Sequence, residues 1–105
     1  MKYMKKMKYN SVKFTISDRD TKKMKAVLLG DKTKKTLHFG AKGMSDFTKH
    51  KDKKRKKRYL ARHAVRENWN VPDTAGSLSR WILWNKDTIK ASKIDYAKRF
   101  SLKII

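Results

Sequence analysis

The most distinctive feature of this sequence is a run of six consecutive cations near its middle, from Lys53 to Arg58. Such density is typical of phosphate binding or of docking onto an acidic protein surface, and its composition also matches a nuclear localisation signal. Adjacent like charges repel one another along a helix unless a partner neutralises them. We therefore expect an anionic partner to bind eight basic residues, namely Lys53, Lys54, Arg55, Lys56, Lys57, Arg58, Arg62 and Arg66.

Large aromatic side chains form the second candidate set, and we predict that they are core or interface anchors. Trp81 and Trp84 are three residues apart, so on a helix they would share one face. Trp69 and Tyr59 complete the set. Stacking of Trp69 or Tyr59 on nucleic-acid bases is the alternative. Tryptophan is prominent both in cores and at binding hot spots, so the two roles stay open together.

Catalytic groups are scarce. His38, His50 and His63 are 12 and 13 residues apart, which gives no paired metal-ligand spacing. The sequence has one glutamate and no cysteine, so clustered carboxylates, thiolate sites and disulfides are missing from its inventory. We predict a protein that is not an enzyme, with no catalytic residue, no metal, no cofactor and no small-molecule substrate.

The whole chain is small and strongly basic. It has 105 residues, a formal net charge of +21 and 37% charged residues, against roughly 25% in an ordinary globular protein. We expect residues 1–105 to form a single domain with a thin core that a partner completes. Residues 1–10 are predicted to be a basic N-terminal arm that becomes ordered only on assembly. No apolar run exceeds four residues, too short for a signal peptide or a membrane-spanning helix.

The elements that must position the cations follow from hydrophobic periodicity. Residues 11–17 alternate strictly, with Val12, Phe14 and Ile16 on one face, as in a half-buried strand. Short strands over 24–29 and 36–39 follow, separated by turn residues. A basic helix is predicted over about 52–66, with a narrow apolar stripe on its second half at Leu60, Ala61, Ala64 and Val65.

Two C-terminal helices are predicted after the basic helix. The first would begin at Thr74 or Ser77 and run to Trp84, and the second would be capped by Asp87 and run to about Phe100. The terminal residues 102–105 either pair with the sheet or dock elsewhere. The predicted fold is therefore α+β: a small three-stranded antiparallel meander followed by a basic helix and two C-terminal helices.

Several segments carry a resemblance to a known group of proteins. They are Thr36-Leu-His-Phe-Gly-Ala-Lys-Gly43, Ser45-Asp-Phe-Thr-Lys-His-Lys-Asp52, Arg58-Tyr59, Arg62-His63, Arg66-Glu-Asn-Trp69 and Thr74-Ala-Gly-Ser-Leu-Ser-Arg-Trp-Ile-Leu-Trp-Asn-Lys86. Over about residues 36–96 the chain resembles a family of short basic proteins encoded by giant viruses, the nucleocytoplasmic large DNA viruses. The segment from Thr74 to Lys86 is its most specific part. The resemblance implies a virus-encoded accessory or virion protein and carries over no catalytic residue.

This resemblance and the charge lead to one expected function and one alternative. We expect a non-enzymatic structural protein of a large DNA virus particle, a minor capsid (cement) protein on the inner side of the capsid. Its partners would be other capsid proteins, DNA or RNA phosphates, or inner-membrane lipid headgroups. In the infected cell it would occupy the cytoplasm or nucleus. The alternative is a sequence-nonspecific nucleic-acid-binding or genome-packaging protein, which the charge by itself favours.

Overall fold

A computed structural model describes residues 8–105, and its sheet contains four strands. The strands are β1 (Ser11–Ile16), β2 (Lys22–Leu29), β3 (Lys34–Ala41) and β4 (Lys103–Ile104), in the spatial order β3-β2-β1-β4. The first three form the predicted antiparallel meander, but β4 pairs in parallel with β1. The α+β class is confirmed. The purely antiparallel three-stranded sheet is wrong, because the C-terminus takes the first of its two predicted options and makes the sheet mixed.

One face of the sheet forms half of the core. Val12, Ala26, Leu28 and Phe39 alternate along their strands and are all inaccessible to solvent. The register is consistent with this, since Val12 pairs with Leu28. A period of two therefore gives one buried face, which includes Val12 and the half-buried Phe14 as the alternation of β1 predicted. The prediction is wrong for Ile16, which is the last residue of β1 and is 85% exposed.

The helices supply the other half of the core. They are α1 (Phe47–His50), α2 (Lys53–Ala64), α3 (Ala75–Leu78), a π-helix (Ser79–Leu83) that continues α3, and α4 (Ile89–Arg99). Leu78, Ile82 and Tyr96 are fully buried against the sheet. The Tyr96 ring meets Phe14 of β1 edge to face, with 5.7 Å between the ring centroids.

Two predicted helix boundaries are corrected by the structure. The predicted helix ending at Trp84 is a short α-helix followed by a π-helix. The backbone of Trp84 is not helical, with φ −122° and ψ 37°. The last helix begins later than predicted, because Thr88 rather than Asp87 caps it by accepting a hydrogen bond from the Ala91 N–H.

The predicted N-terminal arm lies mostly outside the described residues, which begin at Lys8. Tyr9, inside that arm, belongs to the core: it is 4% exposed, and its hydroxyl donates to Asp73. The backbone N–H of Asn10 also donates to the Leu29 carbonyl, 2.8 Å away. The ordered domain therefore starts before the first strand.

Candidate anion-binding site

Helix α2 begins with a capped first turn, although its first six residues are all cations. The carboxylate of Asp52 accepts hydrogen bonds from the backbone N–H groups of Lys54 and Arg55. These bonds, the one from Arg55 first, hold the pKa of Asp52 below its ordinary value. Lys51, in the left-handed region with φ 56°, separates α2 from α1. An acidic cap at the helix N-terminus also complements the helix dipole.

Of the predicted apolar stripe on α2, only Leu60 is half-buried, and Ala61, Ala64 and Val65 are exposed. No residue of α2 is buried, and Val65, just beyond its end, is 83% exposed. Contact is instead made by one half-buried stripe, whose members are Lys56, Tyr59, Leu60 and His63. Lys56 donates a hydrogen bond to the Asn85 carbonyl, 2.6 Å away, and its ammonium lies 4.7 Å from the centroid of the Phe47 ring. Burial, and then nearby cations, lower the pKa of Lys56.

A column of four aromatic rings joins α2 to the π-helix. Tyr59 stacks almost parallel on Trp84, with 4.1 Å between centroids and 4° between planes. His63 stacks on Tyr59 at 4.2 Å, and His50 lies 5.3 Å from Trp84. The His63 ring is tilted by 28° from the Tyr59 ring. Two rings stacked at this spacing must occupy opposite faces of Tyr59, so neither face is open for the predicted alternative of stacking on a base. Burial raises the pKa of Tyr59 to about 12.

An open cleft of about 620 Å³ lies beside this column. One wall is α2, which contributes Arg55, Arg58 and Arg62. The remaining walls come from the β2 start, the β3 end, the residues before α1, the segment after α2, the beginning of α3 and the π-helix. They include Lys22, Lys23, Gly40, Asp46, Glu67, Gly76, Ser79 and Leu83. Volumes of roughly 300–1,000 Å³ are usual for ligand sites. The cleft is thus a concave surface lined by several cations.

The two carboxylates of the cleft, Asp46 and Glu67, differ in whether a protein cation pairs with them. Asp46 is 2% exposed and accepts hydrogen bonds from Lys23 Nζ, at 2.7 Å, and from the N–H and hydroxyl of Thr48. Glu67 belongs to no salt bridge among the described residues, and a side chain at Gly76 would collide with its carboxylate. Only Asp46 is therefore neutralised by a protein cation at close range.

The cations of α2 lack carboxylate partners in the part of the chain that the structure describes. The salt bridges among residues 8–105 join Lys23, Lys25, Lys35, His38 and Arg99 to aspartates, and none of them includes a residue of α2. Six of the eight predicted binding residues are exposed on this helix, namely Lys53, Lys54, Arg55, Lys57, Arg58 and Arg62. Arg66 is exposed in the turn that follows, whereas Lys56 is half-buried and faces the protein.

The four predicted aromatic anchors form two pairs in different parts of the structure, Trp81 with Trp69 and Trp84 with Tyr59. Trp81 and Trp84 do not share one set of neighbours, because the chain changes to a π-helix before them and Trp84 follows its end. Trp81 Nε1 donates to the Trp69 carbonyl at 2.9 Å, whereas Trp84 joins the column with Tyr59. Trp81 and Trp84 both pack against the core, and Trp69 is half-buried.

Several important residues were missed by the sequence reasoning. The guanidinium carbon of Arg80 lies 4.2 Å from the Trp81 ring centroid, and that of Arg99 lies 3.7 Å from the same centroid. The Lys23–Asp46 pair and the Gly76–Glu67 contact were missed too, since each joins residues far apart in sequence. Asp46 caps α1, where its side chain accepts a hydrogen bond from the Thr48 N–H.

Residues 8–105 were compared with the requirements of a metal site and of a membrane-spanning helix. There, no three histidine, aspartate or glutamate side chains come close enough to hold a metal ion together. No helix in the same range combines the length and apolar character needed to cross a membrane.

Comparison with known proteins adds a single similarity. Residues 12–63, just under half of the chain, match DUF5754, a family of unknown function. No curated protein and no solved structure matches the chain. The matched range begins in β1 and ends near the end of α2, so it includes the meander, α1 and most of the basic helix. The chain is similar to this family there, and the resemblance to giant-virus proteins stays a prediction.

Proposed function

We propose that this protein binds nucleic acid without sequence specificity, through the phosphate backbone and the exposed face of α2. The observation that carries the proposal is the set of exposed cations on α2 that have no carboxylate partner among residues 8–105. Phosphates would neutralise these charges and release counterions from the nucleic acid. The formal charge of +21 would also steer the encounter.

The contacts of the asparagines support backbone binding rather than base recognition. Asn85 is 7% exposed, and its amide donates to Asp95 at 2.7 Å. The side-chain oxygen of Asn68 accepts a hydrogen bond from the Asn70 N–H. Asparagine reads adenine by offering both its amide groups at a base edge. Asn85 is committed inside the protein, and the exposed face of α2 carries only cations and alanines.

The test is the salt dependence of binding to a random-sequence DNA duplex. We expect a steep fall in affinity with salt, at about 0.9 log units per phosphate contact for each log unit of salt. Changing Lys53, Lys54 and Lys57 together to glutamine should make the slope shallower by up to about 2.7. A matched control changes Lys32, Lys90 and Lys98, which are exposed and lie outside α2, to glutamine.

The two triple variants carry the same net charge, so they separate a local site from general attraction. We expect the control to keep nearly the parental slope. Equal slopes for both triple variants would show that binding follows total charge and would contradict a site on α2. Lack of measurable duplex binding by the unchanged protein would overturn the proposed function itself.

A second candidate is the expected role as a minor capsid protein in a virus particle. It is favoured by large aliphatic side chains that stay more than half exposed, namely Ile16, Met44, Val65, Ile94 and Ile105. Such side chains could bury surface against a neighbouring protein, while the cations contact its carboxylates. Lysine-directed crosslinking in purified particles tests this role. Crosslinks to shell proteins would support it, and absence of the chain from particles would contradict it.

A further inference from the structure

Arginine and lysine are separated on the surface of α2. Every arginine of the helix lines the cleft, and these are Arg55, Arg58 and Arg62. Three lysines, Lys53, Lys54 and Lys57, are exposed and do not line it. At 100° per residue the arginines fall on one stripe next to Tyr59, and these lysines fall on another. The helix thus has two chemically different basic faces.

This separation has a chemical meaning, because the two side chains bind phosphate differently. Arginine presents a planar fork of donors that fits two phosphate oxygens at once, whereas lysine acts as a hydrated point charge. Positive potential alone does not require arginine and lysine to lie on different faces of the helix. Forked donors along one wall of a concave site are suited to holding phosphate groups in fixed positions.

The dimensions of the arginine stripe fit a short run of phosphates. Arg55 and Arg62 are seven residues apart, which is a rise of about 10 Å along an α-helix. One nucleic-acid strand carries a phosphate per about 3.4 Å in duplex geometry and over a longer distance when extended, so two or three phosphates match the stripe. Across the cleft, Lys22 supplies a further cation.

We propose that the arginine cleft binds the phosphate backbone of single-stranded nucleic acid. This inference rests on the proposed function and names a preferred substrate for one face of α2. A single strand is narrow enough to enter a cleft walled by α2 on one side and by the sheet end on the other. A duplex is a wide rod and contacts the convex lysine face instead. Single-strand binders usually combine a positively charged groove along the backbone with aromatic rings that stack on bases, and this cleft offers the charged groove.

Glu67 supplies an independent check, because its carboxylate faces the same cleft. Its negative charge near Tyr59 contributes to the raised pKa of that hydroxyl, which places the two groups close together. A phosphate in the cleft would be repelled by Glu67. Glu67→Gln should therefore strengthen single-strand binding, and a loss of folding cannot produce such a gain.

The experiment compares two variants of equal charge on two substrates. Arg55, Arg58 and Arg62 are changed together to glutamine in one variant, and Lys53, Lys54 and Lys57 in the other. All six side chains are exposed, and glutamine has a similar helix propensity, so α2 should persist. Affinities are measured for a 12-nucleotide single strand of mixed sequence and for the corresponding duplex, at one salt concentration.

We expect the arginine variant to bind the single strand at least tenfold more weakly than the lysine variant does. On the duplex the order should reverse, with the lysine variant binding more weakly than the arginine variant, because the duplex contacts the lysine face. Equal losses on the single strand, or no gain in Glu67→Gln, would overturn the cleft proposal while leaving duplex binding by α2 intact. If neither variant weakens binding to either substrate, the proposed function fails as well.

Discussion

At the scale of single residues, the buried pair of Lys23 and Asp46 fixes the edge of the cleft. It links the start of β2 to the cap of α1, with side-chain exposures of 14% and 3%. Such a pair is weak as a source of stability when compared with apolar residues, but removing one partner leaves the other charge buried and uncompensated. Thr48 adds two further hydrogen bonds to the Asp46 carboxylate.

We predict that Asp46→Asn lowers the free energy of unfolding by about 3 kcal/mol, because Lys23 then faces a neutral amide in a buried position. Urea denaturation at pH 7 measures this change. Asp18→Asn is the matched control: its side chain is 76% exposed and 4.0 Å from Lys25, so we expect a loss below about 0.5 kcal/mol. Equal effects of the two variants would contradict the account of this pair.

The same variant has a defined pH dependence. Burial acts to raise the pKa of Asp46, but hydrogen bonds from Lys23 and Thr48 outweigh it and leave the pKa below its ordinary 3.8. A lowered pKa in the folded state stabilises the protein fully above the unfolded value and loses that effect as pH falls through the folded value. The gap between the parent and Asp46→Asn should therefore be constant from pH 7 to about 5 and should narrow below pH 3.8. A constant gap down to pH 2.5 would be inconsistent with this pKa.

At the scale of elements, α2 depends on a few contacts with the rest of the domain. None of its residues is buried, and its stacked contact is the one between Tyr59 and Trp84. A short, highly charged helix is unstable by itself in water. The aromatic column is therefore the main reason why α2 stays in place beside the cleft.

We predict that Tyr59→Ala increases amide hydrogen exchange in α2 at least tenfold more than in β2. Tyr59→Phe keeps the ring between Trp84 and His63 and should leave the exchange of α2 nearly unchanged. Exchange detected by mass spectrometry on the full chain measures both variants. Uniform acceleration throughout the protein in Tyr59→Ala would show that α2 and the core unfold together, contrary to this account.

Elements with local signals could be predicted from the sequence, and those that depend on distant partners could not. The strand predicted over residues 11–17 and the basic helix predicted over about 52–66 rest on local patterns, and both formed close to those bounds. The two-residue strand β4 has no periodicity to detect, and only its pairing with Ser11 and Val12 defines it. The change to a π-helix at Ser79 also depends on packing, and Trp81 and Trp84 have different hydrogen-bond and ring partners although both pack against the core.

At the scale of the whole molecule, the charge of +21 acts on folding and on binding in opposite directions. Cations repel one another in the compact state, and salt screens this repulsion over a Debye length of about 10 Å at 0.1 M and 3 Å at 1 M. Salt also weakens binding to phosphates through counterion release. The protein should thus become more stable and bind more weakly as salt increases.

We predict that the urea midpoint of unfolding rises between 0.05 and 0.5 M sodium chloride, without nucleic acid present. The triple variant of Lys53, Lys54 and Lys57 to glutamine should start from a higher midpoint at low salt and should respond less to added salt. A midpoint that is unchanged or falls with salt in the parent protein would mean that self-repulsion does not limit its stability.

The candidate site was predictable in its charges but not in its shape. The run from Lys53 to Arg58 is visible as sequence, and it lies on an exposed helix. The cleft was not foreseen, because it forms where α2 meets residues as distant as Lys22 and Gly76. The inward orientation of the Lys56 side chain was not predictable either, because it depends on a hydrogen bond to the Asn85 carbonyl, 29 positions along the chain.

The most direct test of the account is to map the binding surface by NMR. A short DNA duplex would be titrated into the uniformly ¹⁵N-labelled full chain, and amide shift changes would be recorded residue by residue. We expect the largest changes between residues 53 and 66, with smaller ones along the cleft. Changes centred on the exposed aliphatic positions Ile16 and Ile94, or absent from α2, would contradict the claim that the exposed cations of α2 bind nucleic acid.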